Sequence, residues 1–484
     1  MKKIFFAVLA AMLLCLAPAA ALAVDMQAGT PTFTVNTASP TIVGFGGKQW
    51  AVIGHNLSGV ASTSGTLTLL LAYDQSYRAF SSSASNEYSG STLQTEMNTA
   101  HSGLLAEEQG LVAVRNLTGG SGNYGSLGYN DDNIAGTPVS NAGFWPLSVN
   151  EANLVNGTLR EFTSSWWLRS PGDLNHFAAY VIHSGSVSDS GSNVSMPFGV
   201  RPAFNLNLSD VLFTSAASGA NVKPPTVSAA LTAATTTSGA VKFTVENPFL
   251  SLSSTVTTVG TVAAGDTVSI PYTGATTGAN KYVSCVIVDG GYDVLFYGKL
   301  MDCVSSNANG TAGFIVPTKG DMPDGSYTIR LFNEECNGNN ETDFAGTPVD
   351  IPMTVVNLPT VTTVTPTGAG AAISGNVVIT FDEAMDTATT GTVRLSGLPV
   401  LTGGSWSAGN TVFTIAYAGL ENNTAYTVNI SGFKDVAGNT MAAISSHSFT
   451  TEADNLSSGS SSGCNAFGLA ALALALPAIL RRKR

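Results

Sequence analysis

Hydrophobic and polar residues alternate with period two along much of the chain. In "NVVITFDEAM", Val377, Ile379 and Phe381 fall on one side of an extended backbone. Phe413, Ile415 and Tyr417 do so in "TVFTIAY", and Tyr426, Val428 and Ile430 in "AYTVNI". Polar residues between them predict half-buried antiparallel strands, and several such strands predict a β-sandwich over residues 358–452. Upstream, "NKYVSCVIVDGGYDVLFYGKLMDC" places Asp289-Gly290-Gly291 between two β-branched and aromatic runs, which predicts a hairpin. With "DTVSIPYTG" and "DGSYTIRLF" it predicts a second sandwich over residues 240–357.

The first part of the chain, residues 30–213, mixes patterns. "IVGFGGKQWAVIGHN" predicts two strands around a Gly turn, and "AAYVIHSGSVSD" a hairpin turning near Ser184-Gly185. "GVRPAFNLNL" predicts a strand with Pro202 at its start or at a sheet edge, since proline cannot donate to a ladder. "STLQTEMNTAHSGLLAEEQ" predicts a helix capped by Ser91 or Thr92, and "SVNEANLVN" a shorter one. Residues 214–239 carry almost no large apolar side chain and are expected as a linker; residues 453–463, "ADNLSSGSSSG", are expected as a flexible spacer. The fold class expected is mainly β and multidomain: an N-terminal α+β head followed by two Ig-like β-sandwiches.

Both chain ends change this picture. Residues 1–23 have a basic start, an apolar stretch and a small-residue site ending at Ala23, the pattern of a secretory signal peptide cut after that residue. Residues 464–484 begin with Cys464, run through an Ala/Leu stretch and end in "RRKR". Ala466 to Leu480 would make about 22 Å of helix, short of the roughly 30 Å of a hydrocarbon core. A temporary membrane stop, processed near Gly463 and Cys464, is expected rather than a permanent anchor, with its basic end cytoplasmic. Only 11% of residues are charged, and Gly, Ser and Thr abound, as in exported β modules. Six of the 20 basic residues lie at the two ends; without them 14 face 32 acidic residues, a net of −18. So acidic a body has no footprint for nucleic acid. With Cys15 and Cys464 set apart, Cys285, Cys303 and Cys336 allow at most one internal disulfide.

Four blocks, "FGGKQWAVI", "FWPLSVNEA", "WWLRSPG" and "GVRPAFNL", resemble an uncharacterised family of bacterial secreted domains. Their closing arrangement is similar to the C-type-lectin-like fold. "SIPYTGA", "YGKL" and "SYTIRLFNEECNGNNETDFAG" resemble an Ig-like module that follows this domain in secreted proteins. "VVITFDEAMD", "LENNTAYTVNISG", "KDVAGN" and "HSFTT" resemble the bacterial Ig-like family first described on S-layer proteins. The tail resembles Synergist-type C-terminal sorting signals. That resemblance implies export, transient inner-membrane retention by the C-terminal segment, and placement at the cell surface by signal peptidase and a sorting machinery.

Candidate chemistry is sparse. There is no G-x-S-x-G elbow in a strand-to-helix context. No cysteine lies between Val24 and Ser284, so the oxidase activity of sulfatase-activating enzymes on a related scaffold is not expected. The pairs Glu107/Glu108 and Glu334/Glu335 are expected to be solvated. Arg169 and Arg201 could clamp a carboxylate, with bracing of backbone carbonyls the favoured role. On a strand Trp166 and Trp167 would face opposite ways, one into the core and one out. Candidate ligand-binding residues are Trp167, Asp173, Asn175, Asp131, Asp132 and Asn133. Asp382, Asp386 and Asp435 are candidate calcium ligands without the spacing of a known calcium loop; no other cofactor is expected. The reading is a non-enzymatic surface protein whose head recognises a cell-envelope glycan or surface protein. Its alternatives are a structural S-layer-like element and a carbohydrate-active enzyme.

Overall fold

The computed structural model describes residues 24–25, 33–55, 65–73, 76–120, 134–217, 222–234 and 240–454. Strands dominate, and the chain divides into two compact units, Met1–Asn357 and Leu358–Arg484.

In the first unit two helices start where the sequence places them. The Ser91 side chain accepts from the Gln94 N–H and begins helix Thr92–Ser102. That helix stops at Gly103, and a second, Ala106–Leu111, follows where one continuous helix is expected. Ser148 and Glu151 close a reciprocal capping box around helix Val149–Leu154. "GVRPAFNLNL" is two strands rather than one. Phe198–Val200 belongs to a five-stranded sheet with Trp166–Pro171, and Ala203–Asn207 to a larger sheet, with Arg201 and Pro202 at the crossing. Proline's missing N–H costs nothing at such a break.

The larger sheet has 15 strands and runs out of the head into the next module. Val241–Glu246 is the junction. It pairs antiparallel with Val211–Ala216, and in parallel with both Ile42–Phe45 and Asp343–Ala345. Glu108 adds a weld: it accepts from Gly46 N–H and from the Thr342 hydroxyl 234 residues away. Residues 30–213 and 240–357, expected as separate domains, therefore lie in one unit. The expected linker takes part in it, with Thr214–Ala216 paired in a strand and Thr232–Ala233 in another.

Period two governs the sheet beyond the junction. Val283, Cys285 and Ile287 enter one core with Val268, Ile270 and Phe314. Val286 and Val288 face a second cluster, with Phe213, Tyr297 and Phe332. Cys285, Cys303 and Cys336 are free thiols, so the one disulfide the sequence allowed is not formed. Cys285 and Cys303 are buried within the first of these cores.

The second unit is a sandwich of two four-stranded sheets. All nine alternating residues named above are buried in its core. Gly404 lies against an aromatic cluster of Trp406, Phe413 and Phe433. A Cβ there would stand 2.1 Å from the Phe413 ring. Gly404→Ala is expected to destabilise this unit by about 1–3 kcal/mol through overpacking, read by denaturant unfolding of the sandwich.

Candidate functional site

The residues singled out in the head divide into a buried frame and an exposed turn. All six positions of Trp166–Pro171 are buried. Trp167, expected to face outward, is fully enclosed by Phe80, Tyr180 and Phe198, and its indole N–H donates to the Arg78 carbonyl at 3.0 Å. Trp166 is buried on the opposite face, under the Arg201 guanidinium, because this strand is covered on both sides. Trp167 therefore offers no surface to a ligand. Arg201 donates to the carbonyls of Leu71 (2.8 Å) and Leu159 (2.7 Å). Arg169 donates to the Pro146 carbonyl and to Glu151, which also receives Arg115 at 2.7 Å. Burial pushes the Glu151 carboxyl up, but the two guanidinium groups outweigh it and hold it below the usual range. The motifs of the head are thus an internal scaffold.

Asp173 and Asn175 are exposed on the turn between Trp166–Pro171 and Phe177–Val181. Asn86 braces that turn. Its backbone N–H donates to the Asn175 carbonyl, and its amide to the carbonyls of Leu174 and Phe177. Asp131, Asp132 and Asn133, like Ala23, Gly463 and Cys464, lie outside the described residues. The calcium candidates are engaged locally: Asp382 accepts from Thr360 N–H, Asp386 from Ala388 N–H, and Asp435 from the backbone and amide of Asn439. They do not gather into a metal-ligand cluster.

The densest charge cluster of the first unit is one that the sequence reading missed. Residues 222–225, "VKPP", carry Lys223 over the rings of Phe213 and Tyr297, at 4.7 and 5.6 Å. Its side chain is 6% exposed, and its ammonium lies 2.5 Å from Glu334 Oε1 and 2.8 Å from Asp343 Oδ2. It also donates to Thr244 Oγ1 at 2.6 Å. Glu334 Oε2 accepts from the Tyr297 hydroxyl at 2.6 Å. Asp343 Oδ1 accepts from the Asn337 N–H at 2.6 Å and pairs with Lys242 at 2.7 Å. A cavity of about 230 Å³ opens beside it, lined by Lys242, Lys299, Cys336 and Asn337 among others.

Glu334 and Glu108, expected in water, are both buried. Adjacent residues of a strand point to opposite faces, so Glu334 turns inward while Glu335 pairs outside with Lys281. Burial raises the Glu334 carboxyl, yet Lys223 brings it below its ordinary value; burial lowers the Lys223 amine, yet Asp343 and Glu334 raise it above its own. Burial and Glu334 push the Cys336 thiol up to about 12, so it is no thiolate nucleophile. Glu334, Cys336 and Asp343 hold ligand-type atoms within 4.8 Å of one another, but the Lys223 ammonium already sits against the two carboxylates where a cation would go. The available signal was Lys223 itself, the single charged residue in 214–239.

The architecture is that of a mainly β, multidomain protein. Residues 356–451 match the family described as a bacterial Ig-like domain, and residues 128–208 a domain of unknown function (DUF6273). No curated protein matches the chain. Solved structures similar to it include extracellular domains 3–5 of Drosophila OTK, 15% identical with a TM-score of 0.20, over 42% of this chain and 65% of that one. The insect immune protein hemolin is 15% identical with a TM-score of 0.23, over 42% and 47%. A Bacteroides ovatus glucan-utilisation protein, SGBP-B, solved with a mixed-linkage heptasaccharide, is 15% identical with a TM-score of 0.16, over 40% and 43%. The chain thus spans less than two thirds of each of these, and scores of this size carry no argument about activity or partners.

Proposed function

We propose that this chain is an exported, non-enzymatic cell-surface protein whose head recognises an envelope glycan or a surface protein. The observation that carries the reading is the Asp173–Asn175 turn. It is exposed, it displays an acid, an amide and the half-exposed Leu174, and the buried Asn86 holds its backbone in place. Met196, 45% exposed, follows Val194, whose N–H bonds the His176 carbonyl beside the same turn. A braced polar turn with apolar neighbours suits a contact surface, since little ordering entropy remains to be lost on binding. The Trp-, Arg- and Glu-rich interior of the head is committed to its own scaffold, which argues against a catalytic role for those groups. In this reading the C-terminal segment with Cys464 is a sorting label that holds the chain at the inner membrane before delivery, and the head is lectin-like. Among the described residues no helix is long and apolar enough to cross a membrane.

The test is a glycan and surface-protein array probed with the exported chain. Binding is expected, weakened about tenfold or more, over 1.4 kcal/mol, in the Asp173→Ala/Asn175→Ala double variant. Absence of binding together with ordered oligomers on size exclusion would replace recognition by the structural envelope role.

A further inference from the structure

We propose that Lys223 and Asp343 become joined by an intramolecular isopeptide bond, with Glu334 as the proton carrier. The three side chains meet in a site that has the parts an amide-forming reaction needs. The nucleophile is an amine 2.8 Å from one oxygen of the carboxyl it would attack, so it sits next to the carboxyl carbon. Such placement converts a slow bimolecular condensation into an intramolecular one. The other oxygen, Asp343 Oδ1, is held by the Asn337 N–H at 2.6 Å and the Lys242 ammonium at 2.7 Å. These donors are set where negative charge develops as the tetrahedral intermediate forms. The proton carrier, Glu334 Oε1, touches the Lys223 ammonium at 2.5 Å, and its second oxygen is fixed by Tyr297.

The step balances without any outside reagent. Glu334 takes one proton from the Lys223 ammonium and passes it to Asp343 Oδ2, and the free amine attacks the carbon of the now neutral Asp343 carboxyl. The C–N bond forms, Oδ1 carries the negative charge, and the nitrogen gives up a second proton. Glu334 takes this second proton and delivers it to Oδ2 as well, and the C–Oδ2 bond breaks. One water leaves, the amide keeps the third proton, and Glu334 returns to its starting state. The cavity lined by Lys242, Lys299 and Cys336 lies beside the cluster and gives that water a way out.

Two features select Lys223 over Lys242 as the partner. Lys242 is also hydrogen-bonded to the carbonyls of Asn337 and Gly338, and among the described residues its carboxylate partner is Asp343 itself, so no second acid stands beside it to take its proton. Lys223 lies over the faces of Phe213 and Tyr297. That apolar face eases formation of the neutral amine, while the two carboxylates hold the ion pair at rest, so the proton transfer from Lys223 is the uphill step. The product would tie residues 222–225, "VKPP", to strand Asp343–Ala345, the strand that joins Gly325–Glu335 to Val241–Glu246 at the junction of the large sheet.

The test is mass spectrometry of the full chain purified from cells, intact and after protease digestion. The expected result is a branched peptide containing both Lys223 and Asp343, lighter by one water than the sum of its two arms. The wild-type measurement needs no variant to fold. Recovery of the two arms as separate peptides of unmodified mass overturns the proposal, and a bond from Lys242 to Asp343 overturns its assignment of the nucleophile. Glu334→Gln keeps both reacting groups, and bond formation in it is expected to slow by about a hundredfold or more. Full linkage at the wild-type rate in that variant removes Glu334 from the reaction. These outcomes are independent of whether the head binds anything.

Discussion

Glu151→Gln is expected to destabilise the first unit by about 3–5 kcal/mol, the usual cost of leaving a buried charge unpaired. Glu151 and Arg169 are both fully buried, and Arg115 is largely so. Among the described residues Nε and Nη2 of Arg169 have no hydrogen-bond partner, so the Glu151 carboxylate is the charge that compensates this guanidinium. The amide preserves the shape of the side chain and a contact to the Ser148 N–H, but it neutralises the acceptor. Unfolding can be followed by tryptophan fluorescence, because Trp50, Trp145, Trp166 and Trp167 lie in this unit and Trp406 alone lies in the other. The pH response has a definite sign. The Glu151 carboxyl is held below its ordinary value in the folded protein. Its stabilisation is therefore complete above the unfolded value of about 4.3, and is lost as pH falls through the folded value. The wild type should lose this stability in acid, so the gap between wild type and Glu151→Gln should narrow over the same window. A variant within about 1 kcal/mol of wild type, the range of an exposed pair, would show that the pair is not carrying the head.

Period two was sufficient for the parts of the fold whose partners are near in sequence. The hairpin at Asp289-Gly290-Gly291 and the inward set Val377, Ile379 and Phe381 follow from local pattern, and the structure has both. What the pattern cannot carry is pairing at long range. The parallel match of Val241 with Val43 spans almost two hundred residues, and no turn residue announces it. Strand pairing of this kind crosses the boundary drawn through residues 214–239. The segment has no large apolar side chains, so it reads as a linker, yet its one lysine is anchored by two buried carboxylates. Glu334 was misplaced because "EE" looks solvated as a pair, whereas a strand sends its two members to opposite faces. Trp167 was misplaced by the same rule applied with a missing fact: alternation says which side a residue faces, not whether that side is covered. The exposure of Asp173 and Asn175 fits a turn flanked by two strands.

Removing the Lys223 charge should cost as much as removing that of Glu151, but the resulting variant should gain stability in acid. Lys223→Met keeps the aliphatic stem over Phe213 and Tyr297 but removes the charge between Glu334 and Asp343. Glu334 is then buried without its cation, and Asp343 keeps Lys242 and the Asn337 N–H. A loss of about 3–5 kcal/mol is expected, read by the same fluorescence unfolding. In the variant, burial and the neighbouring carboxylate both act to raise the carboxyl values in the folded state. Protonation then relieves the penalty, so Lys223→Met should recover stability relative to wild type as pH falls toward 4, about where free carboxyls titrate. Neutralising the stranded acids by sequence should do the same. Adding Glu334→Gln to Lys223→Met is expected to restore a substantial part of the loss, since replacing both members of a buried pair costs far less than removing one. A covalent Lys223–Asp343 bond in the wild type would change the source of the loss, because the amide is uncharged and the variant would instead lack a tie across 120 residues of chain and carry Asp343 as a free acid. It would leave the direction of the acid response unchanged, because that response belongs to the carboxylates the variant leaves behind. A Lys223→Met protein that becomes steadily less stable in acid, in parallel with wild type, would mean that Glu334 and Asp343 had found water once the ammonium was gone.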